Sequence, residues 1–362
     1  MSVSTQVSTQ WANRPDDERF LSVPELYESV KGRKERSTQH QAALDLLEVK
    51  ADNETVYLRN PETGDDSALN HWSFNQLSSL VKAPAKYLRT LPPQLAAINL
   101  QTTISQIDRS DLSLLQTQTE DGPQMRSVNG STYGRVWDEE VISLIMKNVD
   151  LDVWKVPSAS YAATDPKRAT TLYASDRDCF LFLVNEENPI EVPGNGARDT
   201  LFRGVIIGNS ETGSSSLFKK DFLYRTVCDN RMIWGMQDES ITRIIHSSGA
   251  PHRFAQELAP SLTKSLTEGS SGAVRVITAA RDFQVGQTAQ QVATWMNTKK
   301  GFSNSLTRAA MQRAEEEEGN PYTLWNLIQG VTSLAKDQKH QNKRLTMEAS
   351  ASDLMKYAEA RV

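Results

Sequence analysis

Six segments between about residues 151 and 245, LDVWKV, ATTLYASD, CFLFLVN, LFRGVIIG, SLFKKDFLYRTVC and MIWGM, are rich in β-branched and aromatic residues and are separated by short connections holding Pro, Gly, Asn and Asp. Parallel neighbours need crossovers of about a dozen residues or more, so connections this short favour antiparallel pairing. An antiparallel sheet is therefore expected over residues 121–250. Its first hairpin is predicted at Asn129-Gly130, because Asn-Gly takes the positive φ values of a tight turn. A helix follows, with Asp138 as its cap, Glu139 and Glu140 in its first turn, and VISLIMKNV as its apolar stripe.

On both sides of this region the pattern changes. Residues 1–20 are polar and aperiodic and predict a mobile arm that Trp11 and Phe20 can dock. Residues 21–120 predict a mainly helical N-terminal region with an extended pair near VYLRNPETGDDSALNHWSF and with Pro84, Pro92 and Pro93 as punctuation. Its basic stretch, Lys31, Arg33, Lys34 and Arg36, reads as a solvated turn. Residues 251–362 predict three or four helices: one runs through RDFQVGQTAQQVATWMNTKK to Gly301, one starts at Asn320 and Pro321, and the last begins near Ser352 after the linker KDQKHQNKR. The expected class is α+β, a central antiparallel sheet with helices segregated to the N-terminal and C-terminal parts.

Charge and cysteine use narrow the function classes. Forty basic against 45 acidic residues give a net charge of −5, which argues against coating nucleic acid through bulk charge but permits a local basic face. Cys179 and Cys228 are too few for a disulfide scaffold and lack zinc spacing, and neither a signal sequence nor a long apolar run is present. A reducing cytoplasm, no membrane and no cofactor are expected.

The segment Gly208-Asn209-Ser210-Glu211-Thr212-Gly213-Ser214-Ser215 has the two-glycine spacing of a phosphate loop, but Ser214 stands where the lysine belongs and a strand follows in place of a helix. A hairpin loop is the simpler reading, with anion contact through its amides as the alternative. The near match to a nucleophile elbow fails by one residue at its second glycine. His40, His71, His246, His252 and His340 show no ligand spacing, AEEEE at 314–318 lacks the alternation of a calcium loop, and Cys228 with His246 reads as a buried thiol near a loop histidine.

Basic and aromatic interleaving is the better clue. Arg203, Lys219, Lys220, Arg225, Arg231 and Arg243 lie among Phe218, Phe222, Tyr224 and Trp234. Cations neutralise phosphates and aromatic faces stack on bases, so this mixture fits a single-strand groove; ordinary sheet packing explains the same aromatics. Within that reading Arg203, Lys219, Lys220 and Arg225 are the nucleic-acid-binding candidates, provided that they face solvent, and exchanging Lys219 and Lys220 for Glu is then expected to leave the fold intact.

LFRGVIIGNSETGSSSLFKKDFLYRTVCDNRMIWG, with VNGSTYGRVWDEEV before it and IIHSSG and TLWNLIQGVTSLAKD after it, resembles the phage/plasmid-like family called domain of unknown function 932, over roughly residues 70–350. Arg231 departs from the glycine that many relatives carry after Cys-x-Asn. The resemblance implies an intracellular protein of phages or plasmids, often encoded near replication and recombination functions, and supplies no catalytic residues. Together with the basic and aromatic segment it leads to the expectation of a non-enzymatic single-stranded DNA-binding or annealing protein that forms homo-oligomers. A protein-binding module that counters host defence is the rival.

Overall fold

The computed structural model describes residues 15–60, 63–107, 111–158, 163–192, 199–225, 241–267, 271–336 and 341–361. Strand β1 (Arg19–Phe20) pairs with Leu172 and Tyr173 and buries Phe20, so the chain is anchored from Arg19 onward, inside the stretch expected as an arm. Trp11 lies outside the described residues. Helix α1 (Val23–Glu35) starts where Ser22 Oγ accepts the Glu25 N–H. The basic stretch is not a solvated turn. Its first three cations belong to the C-terminal half of α1, where Arg33 reaches Asp138 at 2.5 Å and Lys34 reaches Glu139 and Glu140 at 2.9 and 3.0 Å.

Residues 37–130 build a six-stranded sheet where mainly helix was expected. Strands β2 (Ser37–Ala43), β3 (Glu48–Ala51), β4 (Val56–Arg59) and β5 (Asp66–Leu69) precede helices α2 (His71–Leu80), α3 (Ala85–Leu88) and α4 (Pro93–Ile104), and β6 (Asp111–Thr119) and β7 (Gly122–Gly130) complete it. The spatial order is β2-β6-β7-β5-β4-β3, antiparallel except for the parallel pair β5 and β7. Leu77 of α2 and Leu100 and Ile104 of α4 pack with Leu58, Leu112, Leu114 and Met125. Strand β2, STQHQAA, has no apolar residue before Ala42, so periodicity cannot reveal it; its ladder with β6 supplies backbone hydrogen bonds instead.

Asn129-Gly130 does not turn. Both residues stay in β7 opposite Ser113 and Leu112, and the hairpin reverses at Glu120-Asp121 with Gly122 at φ 106°. The side chain of Asn129 donates to Thr212 O at 3.1 Å, a tertiary contact that holds the strand straight through the pair.

Helix α5 (Asp138–Asn148) has Trp137 at the cap position; Asp138 lies in the first turn, buried, because its carboxylate pairs with Arg33. After β8 (Trp154–Lys155) and the single turn α6 (Pro166–Ala169), strands β9 (Leu172–Ala174), β10 (Cys179–Val192), β11 (Asp199–Asn209), β12 (Leu217–Arg225) and β13 (Ile241–Ile244) form the expected antiparallel sheet. Its order is β1-β9-β10-β11-β12-β13, with β8 also on β10. MIWGM lies outside the described residues. One face packs Leu181, Leu183, Val205 and Ile207 against Leu26, Ile142, Ile145, Leu258 and Leu262 from three helices. On the opposite face Phe182, Val184, Ile206 and Phe222 form a separate cluster, where the Phe222 ring lies over Gly204 so closely that a Cβ there would sit 1.9 Å from it.

The C-terminal part is helical: α7 (Ala250–Thr267), α8 (Ser271–Asp282), α9 (Ala289–Lys300), α10 (Asn304–Glu318), α11 (Leu324–Lys336) and α12 (Gln341–Glu359). The segment read as one helix ending at Gly301 is interrupted between Asp282 and Ala289, and only α9 reaches that glycine. Helix α11 begins after Thr323, whose Oγ1 accepts the Asn326 N–H, three residues beyond the expected Asn320 start. Helix α12 begins well before Ser352. Residues 337–340 of the expected linker lie outside the described residues. Two mainly antiparallel sheets, with helices α1–α6 interspersed among their strands, and a helical C-terminal part make the fold α+β.

Candidate functional site

The GNSETG loop is the junction between the two sheets. Ser210 Oγ donates to Arg177 O at 2.7 Å, and Tyr133 OH donates to Ser210 O at 2.8 Å. Thr212 O accepts Trp72 Nε1, Gln76 Nε2 and Asn129 Nδ2 at 3.0, 2.8 and 3.1 Å. Ser210, Glu211 and Thr212 are fully buried, so these three residues offer no amides to an external anion, while Gly213 is exposed with its N–H directed to Ser210 O. The loop's internal anion is Glu211.

Glu211 accepts the Asp138 N–H, at the positive end of α5, at 3.0 Å, Arg126 Nη1 at 2.8 Å, and lies 3.6 Å from Arg33 Nε. Burial disfavours its charge, but Arg33 and Arg126 outweigh burial and hold the carboxyl below the usual range. Asp138 takes Arg33 Nη2 at 2.5 Å and Asn209 Nδ2 at 2.6 Å. Burial and the charge of Glu211 nevertheless push it up to about 7. Arg135 is buried beside them, donating Nε to Gln39 Oε1 at 3.0 Å and Nη1 to the Glu211 carbonyl, and burial brings it down to about 10. Arg33 and Arg126 thus meet two buried carboxylates, with Arg135 beside them bonded to a backbone carbonyl and an amide. Such a cluster fixes the two sheets relative to each other and presents no exposed nucleophile or general base.

His246 stacks on Tyr133 with centroids 5.1 Å apart, and its Nδ1 lies 3.2 Å from Gly134 O. Burial lowers its pKa, so protons that the unfolded histidine takes up below about pH 6.5 are refused by the folded one. Stability is expected to fall as pH drops from about 6.5 toward the folded value. His246→Gln should flatten that slope by up to about 1.4 kcal/mol per pH unit, read by urea unfolding between neutral and mildly acid pH; identical slopes would place the acid sensitivity elsewhere. Its proposed neighbour Cys228 lies outside the described residues.

The four binding candidates do not form one exposed patch. Lys219 is buried at 1%, with Nζ 2.6 Å from Asp221 and in contact with Ser265 Oγ. Lys220 points to the other face of β12, because successive strand residues alternate, and its Nζ lies 5.5 Å from the Phe218 ring centroid. Arg203 is half-buried on the Lys219 side and donates to Ser265 O at 3.3 Å. The Arg225 backbone pairs with Leu201, while its side chain, like Arg231 and Trp234, lies outside the described residues.

The Lys220 face carries what remains of the basic and aromatic pattern. Phe218 stands opposite Arg243, and Lys220 opposite Ile241, with Phe202 on the neighbouring strand. Phe202, Phe218 and Lys220 are half-buried, and Arg243 and Ile241 are exposed. The segment is the hairpin loop expected from sequence, joining β11 to β12, but the sequence gives no sign of Arg126, Arg135 and Glu211 as a cluster; single charges in strands and loops carry no spacing signal when their partners are 73–85 residues away.

Among the described residues no group of three or more His, Cys, Asp or Glu side chains is placed to hold a metal, and no helix is long and apolar enough to cross a membrane. A family model described as Domain of unknown function (DUF932) matches residues 163–356, just over half of the chain. No curated protein and no solved structure matches.

Proposed function

The chain belongs to the family described as Domain of unknown function (DUF932), and from that premise we propose that it is a non-enzymatic protein that binds or anneals single-stranded DNA. Recombination or replication on a phage or plasmid is the setting proposed from the sequence resemblance. The observation that carries this reading is the row of Phe202, Phe218, Lys220 and Arg243 on one face of the central sheet. Sheet-borne aromatics stack on unpaired bases, at roughly 1–3 kcal/mol per base, while neighbouring cations meet phosphates. Lys219 has no part in it. A non-sequence-specific binder gains from repeated weak contacts, so homo-oligomers belong to the same proposal.

Fluorescence anisotropy with a labelled oligonucleotide tests it. The protein is expected to bind at low salt, and Lys220→Glu with Arg243→Glu should weaken binding to all sequences and reduce the log–log salt slope by about 0.7 for each phosphate that is no longer neutralised. No binding at low salt would sink the proposal, and an unchanged slope in the folded double variant would remove this face from it. A strictly monomeric mass with and without DNA would exclude annealing through rings or filaments.

A protein-binding module is the second reading, including one that counters host defence. One observation favours it: residues 90–107 carry no charged side chain, and Leu95 and Ile98 of α4 are 48% and 60% exposed. Binding to such a surface would show little salt dependence, which separates it from phosphate contact.

A further inference from the structure

We propose that Arg135 is the anchor of a binding site for a small phosphate-class oxyanion at the junction of the two sheets, apart from the face proposed to bind DNA. Arg135 is 4% exposed and, among the described residues, has no carboxylate within ion-pair distance. Burial outweighs the attraction of Glu211, and the carboxylates of Asp138 and Glu211 are engaged directly by Arg33 and Arg126. A buried cation without a counter-charge is costly, and an anion is the partner that relieves the cost.

The geometry of the guanidinium shows where that partner goes. Nη1 is taken by the Glu211 carbonyl, with Ser127 Oγ at 3.4 Å. Nη2 donates to nothing among the described residues, and Nε donates to the amide oxygen of Gln39, a residue exposed on β2. Nε and Nη2 form the side-on edge that matches two oxygens of an oxyanion. A neutral, exposed amide occupies one half of that edge, and it can swing into solvent without opening the core.

The surroundings favour a multiply charged ligand. Tyr133 and Trp137 hold the guanidinium plane, with ring centroids 5.3 and 5.9 Å from Cζ. His246 packs on the same Tyr133 ring. Its Nδ1–H is committed to Gly134 O, so Nε2, which has no partner among the described residues, becomes a donor when the ring takes up a second proton. An oxyanion at Arg135 would favour that protonation.

Isothermal titration of the full chain with inorganic phosphate, and separately with a 5′-phosphorylated and an unphosphorylated dinucleotide, tests the site. Saturable phosphate binding is expected. Arg135→Lys, which keeps the charge but loses the planar edge, should weaken it by about tenfold or more. Gln39→Ala, an exposed change that leaves the fold alone, should bind at least as tightly as the parent because the competing amide is gone. Lys220→Glu with Arg243→Glu should leave phosphate binding unchanged. Tighter binding of the 5′-phosphorylated dinucleotide than of free phosphate would assign the site to a strand end, and the reverse to the free ion. No saturable binding of either to the parent protein, or weaker binding by the folded Gln39→Ala variant, would overturn the proposal, and it needs no folded Arg135 variant to do so.

Discussion

Glu211→Ala is expected to destabilise the protein by about 3–5 kcal/mol, the range for stripping one partner from a buried ionic network. Glu211 is 0% exposed, and its carboxylate answers Arg126, Arg33 and the first N–H of α5. Removing it leaves the buried Arg126 guanidinium with no carboxylate and Arg33 with Asp138 alone, and frees the start of α5 from its carboxylate contact with the loop. Glu211→Gln keeps the shape and part of the hydrogen bonding, so it should cost less, although it too removes the counter-charge. Urea unfolding checks both through the shift in midpoint at constant m-value. A loss below about 1 kcal/mol in Glu211→Ala would show that solvent reaches the cluster and that the junction is not held by charge.

Lys219→Glu is expected to cost about 3 kcal/mol or more, while Lys220→Glu stays within about 0.5 kcal/mol. The two lysines are adjacent in sequence and opposite in consequence. The Lys219 ammonium is buried against Asp221 and Ser265, and a carboxylate in its place would confront the Asp221 carboxylate. Lys220 lies over Phe218 on the half-open face, where a reversed charge can hydrate. Lys219→Met, which removes the charge while preserving the stem, should fall between them, since Asp221 retains some exposure. Thermal or urea unfolding of the three single variants separates these cases. Equal stability of Lys219→Glu and the parent would mean that the ammonium is free in solution. From sequence the two adjacent lysines point to opposite faces of a strand, and exchanging both for Glu leaves the fold intact only where both face solvent, a condition that Lys219, 1% exposed, does not meet.

The central sheet was legible because its strands, such as CFLFLVN and LFRGVIIG, are continuous apolar runs with short connections, and those two properties leave few alternatives to antiparallel pairing. The N-terminal sheet was not. Its strands are short and partly polar, and one neighbour pair, β5 with β7, joins residues more than 50 positions apart across three helices. The Asn129-Gly130 signal was a true local preference overruled by the ladder to β6 and the bond from Asn129 to Thr212, whereas the Asp121-Gly122 reversal used the same kind of signal and was passed over.

By itself the sequence determined the α+β class, the antiparallel order of the central sheet and the helical C-terminal part, because periodicity, turn residues and connection length act over a few residues and survive in a linear reading. Only the tertiary structure decided what the charges do. Glu211 faces inward because β11 ends against β7 and α5, and Lys219 and Lys220 part company because helix α7 covers one face of β12 and supplies Ser265 to the first lysine alone. Burial and ion pairing depend on groups brought together from distant positions, and in a low-dielectric interior the presence or absence of one such partner outweighs any preference written in the residue itself.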